Sequence, residues 1–225
     1  MSLPFSKNSI IFAPMEGITN VPYRNAISNL FPEWDYFFTD FIRVPSVGLI
    51  SKNKLKSHLG NNNKTGLQLL VTNKGDIEHT CNLINELKIN HIDLNFGCPS
   101  RTVNKHGGGA YLLQDINSLK SIVKKIRSLH HNTLTAKIRT GFHDDKNFTT
   151  ILKMLEDEGV EAITIHARLR DQLYKGIADW KYIKQAVETV SIPVIGNGDI
   201  WTQSDITKIF NETKCHSVMI ARGAM

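Results

Sequence analysis

Short runs of apolar and β-branched residues alternate along this chain with longer stretches whose apolar positions recur at helical spacing. The runs are Ile10–Met15, Tyr36–Val44, Gly66–Val71, His91–Phe96, Thr135–Thr140, Ala162–Ala167, Pro193–Gly198 and Ser217–Ala221. Between them the pattern predicts helices over Val21–Leu30, Val47–Leu59, Ile77–Leu87, Ile116–Leu129, Phe148–Asp157, Trp180–Thr189 and Gln203–Asn211. Asp76 and Asp115 stand at N-cap positions, Thr202 or Ser204 can cap the seventh helix, and Gly159 follows the fifth as a C-terminal glycine would. Eight strands, each but the last followed by a helix, predict an α/β chain folded as a (β/α)8 TIM barrel, one domain over residues 1–225. A doubly wound sheet is the runner-up. The sequence ends just past the eighth strand, so the eighth helix is absent from the pattern, which predicts an exposed apolar edge and weak stability or association.

Composition narrows the class without naming a function. The apolar and charged fractions are those of an ordinary globular protein, and no apolar run is long enough to span a bilayer, so no membrane association is expected. Three cysteines, Cys81, Cys98 and Cys215, are odd in number and widely spaced. Neither a disulfide framework nor a metal site is readable from them, which suits a reducing cytoplasm and predicts no bound metal. A net charge of +6 points weakly to a polyanionic partner. The most basic stretch, Ser51–Lys64, reads equally well as a solvated helix and loop or as an RNA-facing patch.

In barrels of this kind the C-terminal strand ends carry the chemistry. Here the first strand ends in Ala13-Pro14-Met15-Glu16-Gly17, an extended turn whose backbone can lie along a ring system. The third carries Gln68, the fourth Asn95 and Cys98, the fifth Lys137 and Arg139, and the sixth His166 and Arg168. The seventh ends in Asn197-Gly198-Asp199 and the eighth in Ala221-Arg222-Gly223. Polar groups in such positions are costly unless paired or used. One alone reads as a satisfied core residue, whereas a full ring of them reads as a site. The last two loops are glycine-rich and Arg222 adds a charge-assisted donor, which suits phosphate. The pattern implies a flat phosphorylated cofactor, with its phosphate at that end and Gln68, Lys137 and the Pro14–Met15 backbone at the other.

The stretch Ile92–Leu113, IDLNFGCPSRTVNKHGGGAYLL, combines a buried strand, a cysteine turn and three consecutive glycines. Pro99 forces Cys98 out of the helical region, and Gly107 to Gly109 allow backbone to approach a flat ligand or a nucleic-acid chain closely. The alternative is a tight turn with a spectator thiol.

Taken in order, APMEGITNVPYR, TDFIRV, DLNFGCPSRTVNKHGGGAYLL, KIRTG, HARLRDQLYKG, IPVIGNGDI and SVMIARGAM resemble the tRNA-dihydrouridine synthases, a flavoprotein family, nearly end to end. TDFIRV and the glycine-loop form are similar to the branch acting on uridine 16 of the D-loop. Ala167 and Leu169 depart from that pattern, standing where the family more often has glycine and threonine, and the family's C-terminal helical, tRNA-holding domain has no counterpart in this sequence. The resemblance implies FMN as cofactor, NADPH as reductant and tRNA as partner, in a cytoplasmic, monomeric enzyme. It assigns Cys98 as proton donor. Pro14, Met15, Glu16, Gln68, Lys137, His166, Asn197, Gly198, Asp199, Ala221 and Arg222 fall to the cofactor, and Asn95 and Arg139 to the target uridine. Competing expectations are another FMN barrel oxidoreductase acting on a small molecule, dihydroorotate-dehydrogenase-like, and a flavin-free RNA-binding barrel.

Overall fold

The computed structural model describes residues 3–60 and 62–225. Nine parallel strands run in chain order as β1 (Ile10–Phe12), β2 (Tyr36–Phe38), β3 (Ile42–Arg43), β4 (Thr65–Leu70), β5 (His91–Phe96), β6 (Thr133–Gly141), β7 (Ala162–Leu169), β8 (Val194–Asn197) and β9 (Ser217–Ile220). They are ordered β2-β1-β9-β8-β7-β6-β5-β4-β3, and pairing of β2 with β4 closes the ring. The helices are α1 (Val21–Leu30), α2 (Lys52–Leu59), α3 (Ile77–Glu86), α4 (Arg101–Lys105), α5 (Ile116–Leu129), α6 (Phe148–Asp157), α7 (Lys181–Thr189) and α8 (Gln203–Thr213). Eight staves with helices outside them make the expected (β/α)8 barrel.

The second stave differs from the single strand expected over Tyr36–Val44. It breaks between Phe38 and Ile42, where Thr39 Oγ1 accepts from Gln68 N at 3.0 Å and stands in for part of the ladder. The stretch expected as a helix over Val47–Leu59 begins only at Lys52, because Ser51 caps it by accepting from Lys54 N at 3.2 Å and Gly48 upstream is left-handed, at φ 75°. Within the basic stretch Ser51–Lys64, Asn61 lies outside the described residues, as do Met1 and Ser2 of the expected 1–225 domain.

Local chemistry accounts for the other helices. In α5 the buried Leu119, Ile122, Val123 and Ile126 fall at helical spacing, and Asp115 caps by accepting from Ser118 N. Thr202 and Asp205 form a reciprocal capping box at α8. Gly159, at φ 82°, ends α6.

Alternation along each stave sorts the side chains. Outward-facing Ile92, Leu94, Leu134, Ala136, Ile163 and Ile165 pack against the helices in one large core. A smaller apolar cluster of Phe5, Ile11, Tyr36, Phe38, Ile195 and Met219 forms around the early residues of the staves, with the Phe5 ring tilted against Tyr36 at 5.3 Å between centres. In between, the interior turns polar, holding Gln68, Asp93, Asn95, Thr135 and Arg139, all buried. The site lies above this polar belt.

Candidate functional site

A cavity of about 510 Å³ opens at the C-terminal ends of the staves. Among the expected residues, Pro14, Met15, Glu16, Asn95, Cys98, Lys137, Arg139, His166, Asn197, Gly198, Asp199, Ala221 and Arg222 all line it. Gln68 does not. Stave register explains why: Gln68 pairs level with Asp93, which is level with Thr135, one layer below the Asn95–Lys137 pair that floors the cavity. Its amide is wholly buried, donating from Nε2 to Asp93 Oδ2 at 2.7 Å and accepting at Oε1 from Asn95 Nδ2 at 2.8 Å. In this arrangement Gln68 holds Asn95 from beneath.

The cysteine turn follows β5 and is tied down on several sides. Asn95 Oδ1 accepts from Gly97 N and Cys98 N at 3.2 and 2.9 Å, and Arg139 Nε donates to Gly97 O at 3.0 Å. Asn104, on the short helix α4, donates from Nδ2 to both Cys98 O and Gly108 O at 3.0 Å. Arg170 Nε holds the Asn104 oxygen at 2.8 Å. Gly109, at φ 59°, would place a Cβ 2.7 Å from Cys98 O, so no other residue fits there. Close approach by these glycines was expected to serve a ligand, yet at Gly109 the neighbour is the cysteine turn itself. Burial raises the Cys98 pKa, the Glu16 charge adds to this, and a hydrogen bond from the Ser100 backbone N–H opposes it. The thiol is thus half-buried and protonated at neutral pH.

Lys137, from β6, donates from Nζ to Asn197 Oδ1 at 2.9 Å, while Asn197 Nδ2 anchors to Met219 O at 2.7 Å. Burial first, and the neighbouring Arg139 charge second, lower the Lys137 pKa to about 8, with Asp93 pulling the other way. His166 is held well below its ordinary pKa by burial and four surrounding cations, so it is neutral. Its Nε2 faces Arg168 Nη1, the donor, at 3.3 Å.

Two expected ligand groups are committed elsewhere. Asp199 Oδ2 accepts from Arg168 Nη2 at 2.6 Å and from Ala178 N at 2.7 Å, so its carboxylate fastens the loop after β7 rather than meeting an anion. Arg139, 2% exposed, gives Nη1 to Leu169 O at 2.9 Å and Leu173 O at 2.8 Å. It borders the cavity as a braced cation. The turn after β1 likewise presents surface rather than free polar groups at Met15, whose N–H donates to Thr19 Oγ1 at 3.0 Å and whose carbonyl accepts from Ile18 N and Thr19 N.

Sequence reasoning missed Tyr174 and Trp201, which line the rim on either side of Arg222. The Arg222 guanidinium lies 5.0 Å from the Tyr174 ring centre and 5.1 Å from that of Trp201, with Asp199 Oδ1 at 3.7 Å. An aromatic in each of two functional loops was the available signal, but only folding brings the loops together. Among the described residues there is no cluster of His, Cys, Asp and Glu that could hold a metal ion, and no helix is long and apolar enough to cross a membrane.

Comparisons with known proteins agree with this architecture. An N-acetylmannosamine-6-phosphate 2-epimerase from Clostridium perfringens superposes with a TM-score of 0.58 at 14% identity, covering 99% of this chain and 89% of that one. A FabK mutant from Thermotoga maritima gives 0.60 at 13% identity, covering 97% and 62%. At such identities only the fold is shared. The tRNA-dihydrouridine(16) synthase of Shewanella oneidensis is 34% identical across 96% of this chain and 71% of its own length. That of Neisseria meningitidis serogroup B is 33% identical across 99% and 69%, and the tRNA-dihydrouridine synthase B of Pasteurella multocida 32% across 97% and 66%. The family model for dihydrouridine synthase matches residues 11–225, from within β1 onward, and with it this chain belongs to the dihydrouridine synthase family.

Proposed function

We propose that this barrel reduces the C5–C6 bond of a tRNA uridine, position 16 of the D-loop, with Cys98 delivering the proton to C5. The observation that carries the reading is a half-buried thiol kept protonated at the wall of a cavity that the Lys137–Asn197 pair and the Ala221–Gly223 turn also line. Membership of the family, and relatives named for uridine 16, support the substrate.

The residues present fit FMN. Lys137 is a buried cation whose one hydrogen-bond partner among the described residues is Asn197, so two N–H donors remain for an electron-rich ring edge. Gly198, at φ 120°, would drive a Cβ to 2.8 Å from Ala178, so packing holds this turn to bare backbone, and it lines the cavity with Arg222, the charged donor for a ribityl phosphate. Pro14, Met15 and Glu16 line the cavity at the end of β1, and His166, Asn197, Ala221 and the backbone at Asp199, whose carboxylate is held by Arg168 and Ala178, complete the contact. FMN, re-reduced by NADPH, would supply the hydride for C6.

This chain's own residues do the rest. Adding hydride at C6 places negative charge on C5 and O4, and the Cys98 proton neutralises it, leaving a thiolate. That thiolate is favoured by the Ser100 N–H and by the charges of Arg139 and Arg43, the same groups that oppose the burial effect on the thiol. A solvent proton then restores it. Asn95 retains a second Nδ2 hydrogen for a uracil carbonyl, and Arg139 gives the pocket a fixed positive wall. Lysines and arginines around the mouth supply salt-sensitive attraction for RNA, and the target base leaves its stack to enter.

The test is an absorbance spectrum of the purified protein with mass identification of any released chromophore, followed by dihydrouridine mapping on tRNA incubated with NADPH. Flavin absorbance, released FMN and dihydrouridine at position 16 are expected. A colourless protein that FMN fails to reconstitute, or product at another position, would sink the corresponding part of the proposal.

A further inference from the structure

Below the cavity floor runs a continuous line of hydrogen bonds whose direction follows from its ends. At the top the donors are the Gly97 and Cys98 backbone amides, both reaching Asn95 Oδ1. A backbone N–H cannot accept, so Asn95 must turn its oxygen upward and its Nδ2 downward, onto Gln68 Oε1 at 2.8 Å. Gln68 is left with Nε2 for Asp93, and donates to Oδ2 at 2.7 Å.

On the opposite side Thr135 Oγ1 donates to Asp93 Oδ1 at 2.6 Å. With its proton committed, that hydroxyl can only accept from His91 Nε2 at 3.0 Å. His91 therefore carries its proton on Nε2 and turns a bare Nδ1 to the Tyr36 hydroxyl at 2.9 Å, which donates. Burial lowers the His91 pKa to about 3 and raises that of the Tyr36 phenol, so both stay neutral. Two chains of donors, one from the cysteine turn and one from the base of the barrel, converge on a single fully buried carboxylate.

We infer that Asp93 is a positioning residue for Cys98: as common acceptor of both chains it fixes the sense of the Gln68 and Asn95 amides, and through them the cysteine turn. Its catalytic consequence rests on the reading of Cys98 as proton donor, but the geometry does not. A carboxylate accepts at both oxygens, whereas an amide accepts at one and donates at the other. The arrangement therefore makes opposite demands at positions 93 and 95, and exchanging the two residues should restore what Asn95→Asp alone breaks.

Three variants and the wild type test this without using turnover. In the wild type, imidazole 15N NMR should show His91 as the Nε2–H tautomer. In Asp93→Asn the new amide keeps its oxygen toward Gln68 and offers N–H₂ to Thr135, which reverses the lower chain and moves the His91 proton to Nδ1. In Asn95→Asp a carboxylate oxygen faces Gln68 Oε1, acceptor against acceptor. Leaving such a contact unmade should speed hydrogen exchange at Gly97 and Cys98, and iodoacetamide alkylation of Cys98, by about tenfold or more. In the exchanged pair Asp93→Asn with Asn95→Asp, the Gln68 amide turns over and every donor again meets an acceptor. Exchange and alkylation should return to within about threefold of wild type, and His91 to Nε2–H. Exchange at Ile163, a fully buried residue whose N–H donates to Pro193 O at 3.0 Å, reports global unfolding, and its constancy assigns the change to the turn.

A wild-type His91 protonated at Nδ1 would overturn the inferred direction. A double variant as reactive as Asn95→Asp alone would show that the turn is held by its own backbone. Failure of wild type to form dihydrouridine would instead undo the functional reading and leave these readouts untouched.

Discussion

Lys137→Met should stabilise the flavin-free protein at neutral pH and destabilise it in strong alkali. Burial lowers the lysine from 10.5 to about 8. At about 1.4 kcal/mol per pH unit, that gap corresponds to roughly 3 kcal/mol of unfavourable burial while both states are protonated. Solvent entering the cavity screens part of it, leaving about 2 kcal/mol. Methionine matches the lysine in length, removes the charge, and forfeits the bond to Asn197 Oδ1, at about 1 kcal/mol. Below pH 8 the folded lysine bears the full cost, so the variant should be more stable by about 1 kcal/mol, or 2–4 °C in Tm for a chain of this size. Between pH 8 and 10.5 the unfolded chain holds a proton that the folded one has released, and wild-type stability recovers as pH rises. Above pH 10.5 only the lost hydrogen bond remains, and the variant should be the weaker by about 1 kcal/mol. Urea unfolding of both proteins at pH 7, 8.5 and 10.5 measures the swing. A difference that stays constant across that range would refute the argument, because it would mean Lys137 is not desolvated. The same substitution should weaken flavin retention.

Cys98→Ala should retain flavin and NADPH oxidation while losing dihydrouridine formation on tRNA; an unchanged product yield would remove Cys98 from the proton transfer. Arg222→Ala removes the cation held between Tyr174 and Trp201 and should lower FMN occupancy after dialysis, and equal occupancy would refute its placement at the phosphate. Gly109→Ala forces a side chain into a left-handed position against Cys98 O, at a cost of about 1–3 kcal/mol read by thermal melting, with product formation falling more than flavin binding. A variant that melts with wild type would show that the turn can shift without strain.

Much of the barrel was legible because local signals and the global fold agree. α1, α5 and α6 match the stretches read from periodicity to the residue, and in α5 and α6 the same apolar positions that set the helical period face the large core. What periodicity cannot supply is depth along a stave. Gln68 and Asn95 both read as polar residues on an apolar strand, and alternation places both inside the barrel. Only the stagger between neighbours, with Gln68 level with Asp93 and Asn95 level with Lys137, separates the layer that lines the cavity from the layer beneath it. Nor can spacing reveal that Asp199 turns to Arg168 and Ala178, because those partners arrive from β7 and the loop after it. The Tyr174–Arg222–Trp201 stack was invisible for the same reason.

The distribution of polarity explains how one barrel tolerates this site. Charged and amide groups buried in its upper half, such as Asp93, Lys137, Arg139 and Arg168, each carry a desolvation cost that an apolar side chain would avoid. Isolated, any one of them would weigh heavily on a protein whose net stability is typically about 5–15 kcal/mol. Two features offset that cost here. The apolar shell between sheet and helices and the Phe5–Tyr36 cluster within the barrel hold the staves without help from the polar belt. Within the belt, each costly group satisfies another: Asp93 takes Thr135 and Gln68, Lys137 takes Asn197, and Arg139 and Arg168 take loop carbonyls. The same bonds that make these groups tolerable also fix their orientation. The loops they fasten are those after β5, β7 and β8, which form the cavity together with the turns after β1 and β9. Replacing the belt with well-packed hydrophobes would stabilise the barrel and leave those loops unanchored, so the polarity is retained for the geometry of the site and not for the stability of the fold.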